Sequence, residues 1–142
     1  MRTVADILSR KGNQVVRVSP NTPVINALKI MADKNIGSVV VMNGEEFLGI
    51  MTERDYSRKV VLMGRSSDHT MVSEIMSSDF PFLSLQDTVA HCMQVMSPKN
   101  LRYLPVMQEG ELSGIISMND VVAETIIAQT EMISYLQSYI QS

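Results

Sequence analysis

The chain has 142 residues, a net charge of −3, 45% hydrophobic and 19% charged residues; this balance excludes a disordered chain and fits one compact unit or two very small ones. The negative balance and the lack of a basic block argue against a nucleic-acid partner held through phosphate contacts. One cysteine, Cys92, excludes an internal disulfide. MRTVADILSRKG lacks the apolar core of a signal peptide, and no apolar run approaches the roughly 20 residues that span a bilayer, so no membrane partner and a cytoplasmic location are expected.

A short helix is predicted over about 3–9, followed by an extended stretch at Val15–Val18. An amphipathic helix then begins near Pro23, where a missing N–H is tolerated and Thr22 can cap. Val24, Ala27, Leu28 and Met31 follow helical spacing and form its buried face. Two extended runs, SVVVM (38–42) and FLGIM (47–51), are joined by NGEE, a strong hairpin signal, and a helix starts at Thr52. GRSSDHT (64–70) reads as a polar linker.

The same layout then recurs. A helix over about 71–77 leads to Phe82–Leu83 and to a helix beginning near Asp87. Cys92 takes the place of Ala27 on the buried face, and Pro98 should end this helix early. The runs YLPVM (103–107) and LSGII (112–116) flank a QEGE turn; Pro105 cannot donate to a ladder, so one side of its strand should be unpaired there. The last helix starts at Ser117 and runs long, with Val121, Val122, Ile126, Ile127, Met132, Ile133, Leu136 and Ile140 as its apolar members. Its far end is expected to pack on another subunit.

This recurrence is a duplication. Shifted by 65 residues, Ser19–Asp55 falls on Ser84–Asp120 without a gap, and 11 of the 37 positions are identical. Upstream, TVADILS (3–9) meets MVSEIMS (71–77) at an offset of 68. The chain therefore divides into a first repeat at 1–65, a second at 66–125 and a helical extension at 126–142. One half, with a three-stranded sheet, cannot cover both sheet faces; packing two sheets together with helices outside solves this for both.

The copies agree closely where the third strand meets the last helix: Gly49-Ile50-Met51-Thr52-Glu53-Arg54-Asp55 and Gly114-Ile115-Ile116-Ser117-Met118-Asn119-Asp120. A hydroxyl residue followed three positions later by an acid is a capping box. The same geometry suits a ligand: the helix N-terminus offers N–H groups to an anion, the aspartate can accept both hydroxyls of a ribose, and the glycine permits close approach of a ring or backbone. The two readings are compatible, cap when empty and site when occupied.

With those ends, and with phrases such as IGSVVVM, LRYLPVM and GIMTERDY, the chain resembles tandem CBS domains, or Bateman modules, over roughly 3–125. The resemblance implies an α+β fold of two β-α-β-β-α repeats with pseudo-twofold symmetry. It implies clefts that bind AMP, ADP, ATP, NAD(H), S-adenosylmethionine or related ligands, AMP being the first expectation. Carried over residue by residue, it puts Asp55 and Asp120 on ribose hydroxyls and Thr52 and Ser117 near ribose or phosphate. Backbone around Val16 and Val18, Gly37, Ser38 and Val39, and Phe82, Tyr103 and Leu104 would flank adenine. Arg54 and Arg102 are candidates for phosphate, with Arg65 of the linker an extra, because a guanidinium forks onto phosphate oxygens. Gly37 stands where the second copy has Arg102, so the two clefts are chemically unequal.

His69 and His91 lack any cluster of Cys, Asp or Glu at ligand spacing, so no metal is expected, and no activated nucleophile points to an enzyme. The expectation is a regulatory sensor, homodimeric by its long helix and by family habit, that signals to an unidentified regulated protein. The alternative is a ligand-free interaction or assembly module whose aspartates only cap helices.

Overall fold

The computed structural model describes residues 1–141. Its elements are α1 (Val4–Lys11), β1 (Arg17–Val18), α2 (Val24–Lys34), β2 (Ser38–Asn43), β3 (Glu46–Thr52), α3 (Glu53–Tyr56) continued by a π turn at Ser57–Val61, α4 (Val72–Ile75), α5 (Val89–Met96), β4 (Tyr103–Gln108), β5 (Glu111–Ser117) and α6 (Met118–Gln141). This is an α+β chain, and it forms two compact units: residues 14–80, and residues 1–13 with those from 81 onward. The repeat boundaries describe the duplication. The units cut the chain elsewhere because each leading helix packs with the strands of the other repeat. Val4 N–H donates to the Asp87 carbonyl at 2.9 Å and Val89 N–H to that of Arg2 at 3.0 Å, while Val24 N–H donates to Thr70 at 2.8 Å and Val72 N–H to Thr22 at 2.9 Å.

In the 14–80 unit β1 lies parallel to β2, and β2 antiparallel to β3. Val18, Val24, Ala27, Met31, Val39, Val41, Met51 and Val60 form its core together with Val72 and Ile75 of α4. Pro23 occupies the cap position of α2 and Thr22 does not cap it; the Thr22 hydroxyl sits 3.1 Å from that of Ser19. The helix does not need that cap, because the Thr70 carbonyl takes its first N–H. Asn35, at φ 54°, closes the other end with Ile36 N–H on the Met31 carbonyl at 3.0 Å.

In the other unit α5 starts later than expected. Thr88 caps it by accepting from His91 N–H at 3.0 Å, while Asp87 accepts from Ser84 N–H at 2.8 Å. The helix ends at Met96, just before Pro98, and is 8 residues long against 11 for α2. Cys92 is fully buried on its inner face. Burial, aided by the charge of Asp87, pushes its thiol up to about 11, which suits a core residue.

The second sheet is narrower, β4 with β5, and the expected strand at Phe82–Leu83 is reduced to a parallel bridge from Leu83 to Val106. Pro105 is the reason. Its counterpart Val40 donates its N–H to the Val16 carbonyl at 2.9 Å, and a proline has no N–H to give. The hairpins also close differently. The first needs a positive φ only at Gly44, the second at both Glu109 and Gly110, type II′ and type I′ patterns respectively. Both carry a bulge at the same point of the repeat, after Val41 and after Val106.

Candidate functional site

The two strand-to-helix junctions are both built as capping boxes. At the first, Thr52 ends β3 and its Oγ1 accepts from Asp55 N–H at 3.1 Å, while Thr52 N–H donates to Asp55 Oδ2 at 2.9 Å. At the second, Ser117 Oγ accepts from Asp120 N–H at 3.0 Å, and Ser117 N–H donates to Asp120 Oδ2 at 2.8 Å. The carbonyls just before β2 and β4 take the first N–H of each helix: Glu53 N–H donates to Gly37 at 3.1 Å and Met118 N–H to Arg102 at 2.8 Å. Two donors at each helix start are thus already used within the chain, which narrows what either terminus offers an anion.

Beyond the cap the copies diverge. Asp55 is buried and held at both oxygens, because Oδ1 receives the Ser77 hydroxyl at 3.1 Å and faces Lys59 Nζ at 3.1 Å. Asp120 is half-buried, and Lys11 Nζ lies 2.7 Å from its Oδ2. Burial alone would raise the Asp120 carboxyl, but the Lys11 and Ser117 hydrogen bonds outweigh it and hold the group below the usual carboxylate range.

The two glycines leave room for close approach of the chain itself. A Cβ on Gly49 would meet the Ser77 carbonyl at 2.6 Å, and one on Gly114 would meet Leu8 Cδ2 at 2.9 Å. The close approach expected from the sequence is real, but the chain itself makes it. Four-residue α4 stops early, so Ser77 pairs its N–H and carbonyl with Ile50, each at 2.9 Å. Eight-residue α1 continues to Lys11, whose ammonium instead donates to the Ile115 carbonyl at 3.0 Å.

The other residues singled out from the sequence fall into three groups. Val18, Val39 and Leu104 have buried side chains, so only their backbone is available to a ligand. Val16, Gly37, Ser38, Arg54 and Tyr103 are half-buried, while Phe82 and Arg102 are exposed. Ser38 stands opposite Thr52 and Tyr103 opposite Ser117, which puts each beside its capping hydroxyl. Arg65 pairs with Glu74 of α4. Lys11, Lys59 and Ser77 escaped the sequence reading. Lys59, one helical turn from Asp55, was visible as an i,i+4 partner; Lys11 and Ser77 needed the tertiary structure.

Among the described residues no group of three or more His, Cys, Asp or Glu side chains is gathered as a metal site, and no helix is long and apolar enough to cross a membrane.

Comparison with known proteins agrees with this architecture. The CBS domain family model matches twice, at residues 4–61 and 72–126. The chain is 32% identical to the mitochondrial CBS domain-containing protein CBSX3 of Arabidopsis thaliana, covering 98% of this chain and 72% of that one. It is 31% identical to the CBS domain-containing protein YhcV of Bacillus subtilis, over 85% and 84% of the two chains. Among solved structures, a protein with CBS domains from Burkholderia ambifaria, described as acting in signal transduction, matches at 42% identity and TM-score 0.85 over 89% of this chain and 96% of its own. The CBS-domain protein ATU1752 of Agrobacterium tumefaciens matches at 35% and 0.81, over 87% and 98%. The chain belongs to the CBS-domain family and carries two copies of the domain.

Proposed function

We propose that this protein is a regulatory, non-catalytic module that binds an adenosine-containing ligand and passes its occupancy to a partner protein. AMP is the first candidate, with ADP, ATP, NAD(H) and S-adenosylmethionine of the same class. The observation that carries the reading is the state of Asp120: a half-buried, ionised carboxylate fixed by its cap at one oxygen, with the Lys11 ammonium beside it. Such a carboxylate suits the vicinal hydroxyls of a ribose, and a lysine released from it suits a phosphate. Arg102, exposed at the start of the same sheet, adds a second cation for phosphate, where the other copy has Gly37. Tyr103, Leu104 and Phe82 would flank the base. Asp55, buried and held at both oxygens, is the weaker site, with Thr52, Arg54, Val16, Val18, Ser38 and Val39 as its corresponding set. The signal-transduction description of the Burkholderia relative supports the regulatory part of the reading.

One observation favours the assembly-module alternative: both aspartates are already engaged as caps. A thermal-shift panel with the five ligand types, on the wild type, Asp55→Ala and Asp120→Ala, separates the two. A ligand at about 100 times its Kd stabilises by about 2.7 kcal/mol, several degrees for a chain of this size. The expected result is a shift kept by Asp55→Ala and lost in Asp120→Ala, each judged against its own ligand-free Tm. No shift with any of the five compounds would sink the sensor reading and leave the assembly module.

A further inference from the structure

α6 spans 24 residues, about 36 Å at the usual helical rise, and every side chain from Gln129 to Gln141 is exposed. Five of its eight exposed large apolar side chains fall on one line. Val122, Ile126, Ile133, Leu136 and Ile140 are 42–80% exposed, and with Gln129 they fall at alternating spacings of four and three. That is a heptad seam, with Ile126, Ile133 and Ile140 at a and Val122, Gln129 and Leu136 at d. Val121 and Glu124 are buried in the chain's own unit, where Arg2 and Arg10 bind Glu124; Arg2 also pairs with Glu131. The helix therefore uses one face at home and turns the seam away.

We propose that this seam forms a parallel two-stranded coiled coil with a second copy of the chain, in register at Gln129. Isoleucine at every a position, with leucine among the d positions, favours two strands. The flanking e and g positions are Ala123, Thr130 and Gln137, and Thr125, Met132 and Tyr139. None is charged, so two copies meet without repulsion and no charge pattern calls for a different partner. Gln129 sets the direction. In a parallel pair its two amides face each other and hydrogen-bond across the seam; an antiparallel pair over the same residues would set each against Ile133, burying an amide in apolar surroundings. So short a coil is marginal in isolation, but its first turns are already ordered on the home unit, which lowers the entropy lost on pairing.

Sedimentation equilibrium of the full chain tests this. The wild type should be a dimer, and the double variant Ile133→Glu with Leu136→Glu should dissociate at least about 100-fold more readily. Tyr135→Glu, exposed but off the seam, should leave the dimer intact. Circular dichroism verifies that each variant is folded. Gln129→Cys should cross-link the dimer on oxidation, since the native Cys92 is buried. A wild type that stays monomeric at roughly 100 µM, or a dimer that survives both glutamates, would overturn the proposal. A dimer that persists while Gln129→Cys fails to cross-link would overturn its parallel register.

Discussion

Lys11 Nζ lies 2.7 Å from Asp120 Oδ2, although the two residues are 109 positions apart, while Lys59 reaches Asp55 from one turn along the same helix. Two copies of one motif have each acquired a lysine on the capping aspartate, from unrelated positions. Where the duplication would put a second Lys59, at 59 plus 65, the chain has Glu124, which is buried and held by arginines from the leading segment. The contact between leading and closing helix is thus kept with its charges exchanged.

The Lys11–Asp120 pair makes stability depend on pH. The folded Asp120 titrates below its ordinary value, so its charged form stabilises the fold above about pH 4, and this contribution is lost as pH falls through the lowered value. Urea unfolding of the wild type and Asp120→Asn should differ by a constant amount near neutrality and converge in acid. In Lys11→Met the Asp120 carboxyl should move upward, because burial then acts with less opposition; carbon NMR titration reads this directly.

Gly49→Ala and Gly114→Ala should separate, although the two glycines are equivalent in the repeat. At Gly49 the new methyl meets a backbone carbonyl that is itself hydrogen-bonded to Ile50, so overpacking of about 1–3 kcal/mol is expected. At Gly114 it meets the end of the Leu8 side chain, which can turn aside, and the cost should be smaller. Equal losses in chemical denaturation would contradict this account.

Arg2 and Arg10 hold a fully buried carboxylate, with Arg10 Nη2 at 2.9 Å and Arg2 Nη1 at 3.1 Å from Glu124. Replacing both with methionine strands that charge and should cost about 3 kcal/mol. Adding Glu124→Leu should recover most of the loss, because an apolar group of similar size needs no partner. A triple variant no more stable than the double would show that the arginines act through packing alone.

Pro105→Val gives the second sheet the N–H that Val40 supplies in the first. Hydrogen exchange should find that new amide protected, paired with the carbonyl of Pro81, and the bridge at Leu83 widened to a strand. Rapid exchange there would mean that the approach to Leu83, and not the missing donor, limits the sheet.

The sequence by itself determined the duplication, the order of elements apart from the strand expected at Phe82–Leu83, both hairpins, the early end of α5 at Pro98 and the two capping aspartates. All are local: periodicity, turn chemistry and a three-residue cap are legible without knowing what lies nearby. Pro105 even announced the gap in its ladder, since a missing N–H is a covalent fact. Only the tertiary structure decided that the leading helices pack with the strands of the opposite repeats, so that Thr70 supplies the cap expected from Thr22 and Leu8 fills the space above Gly114. It likewise decided that Asp55 is closed off while Asp120 stays half-buried. The physical reason is that a buried polar group takes whichever partner the fold brings within about 3 Å, and sequence distance says little about which one that is.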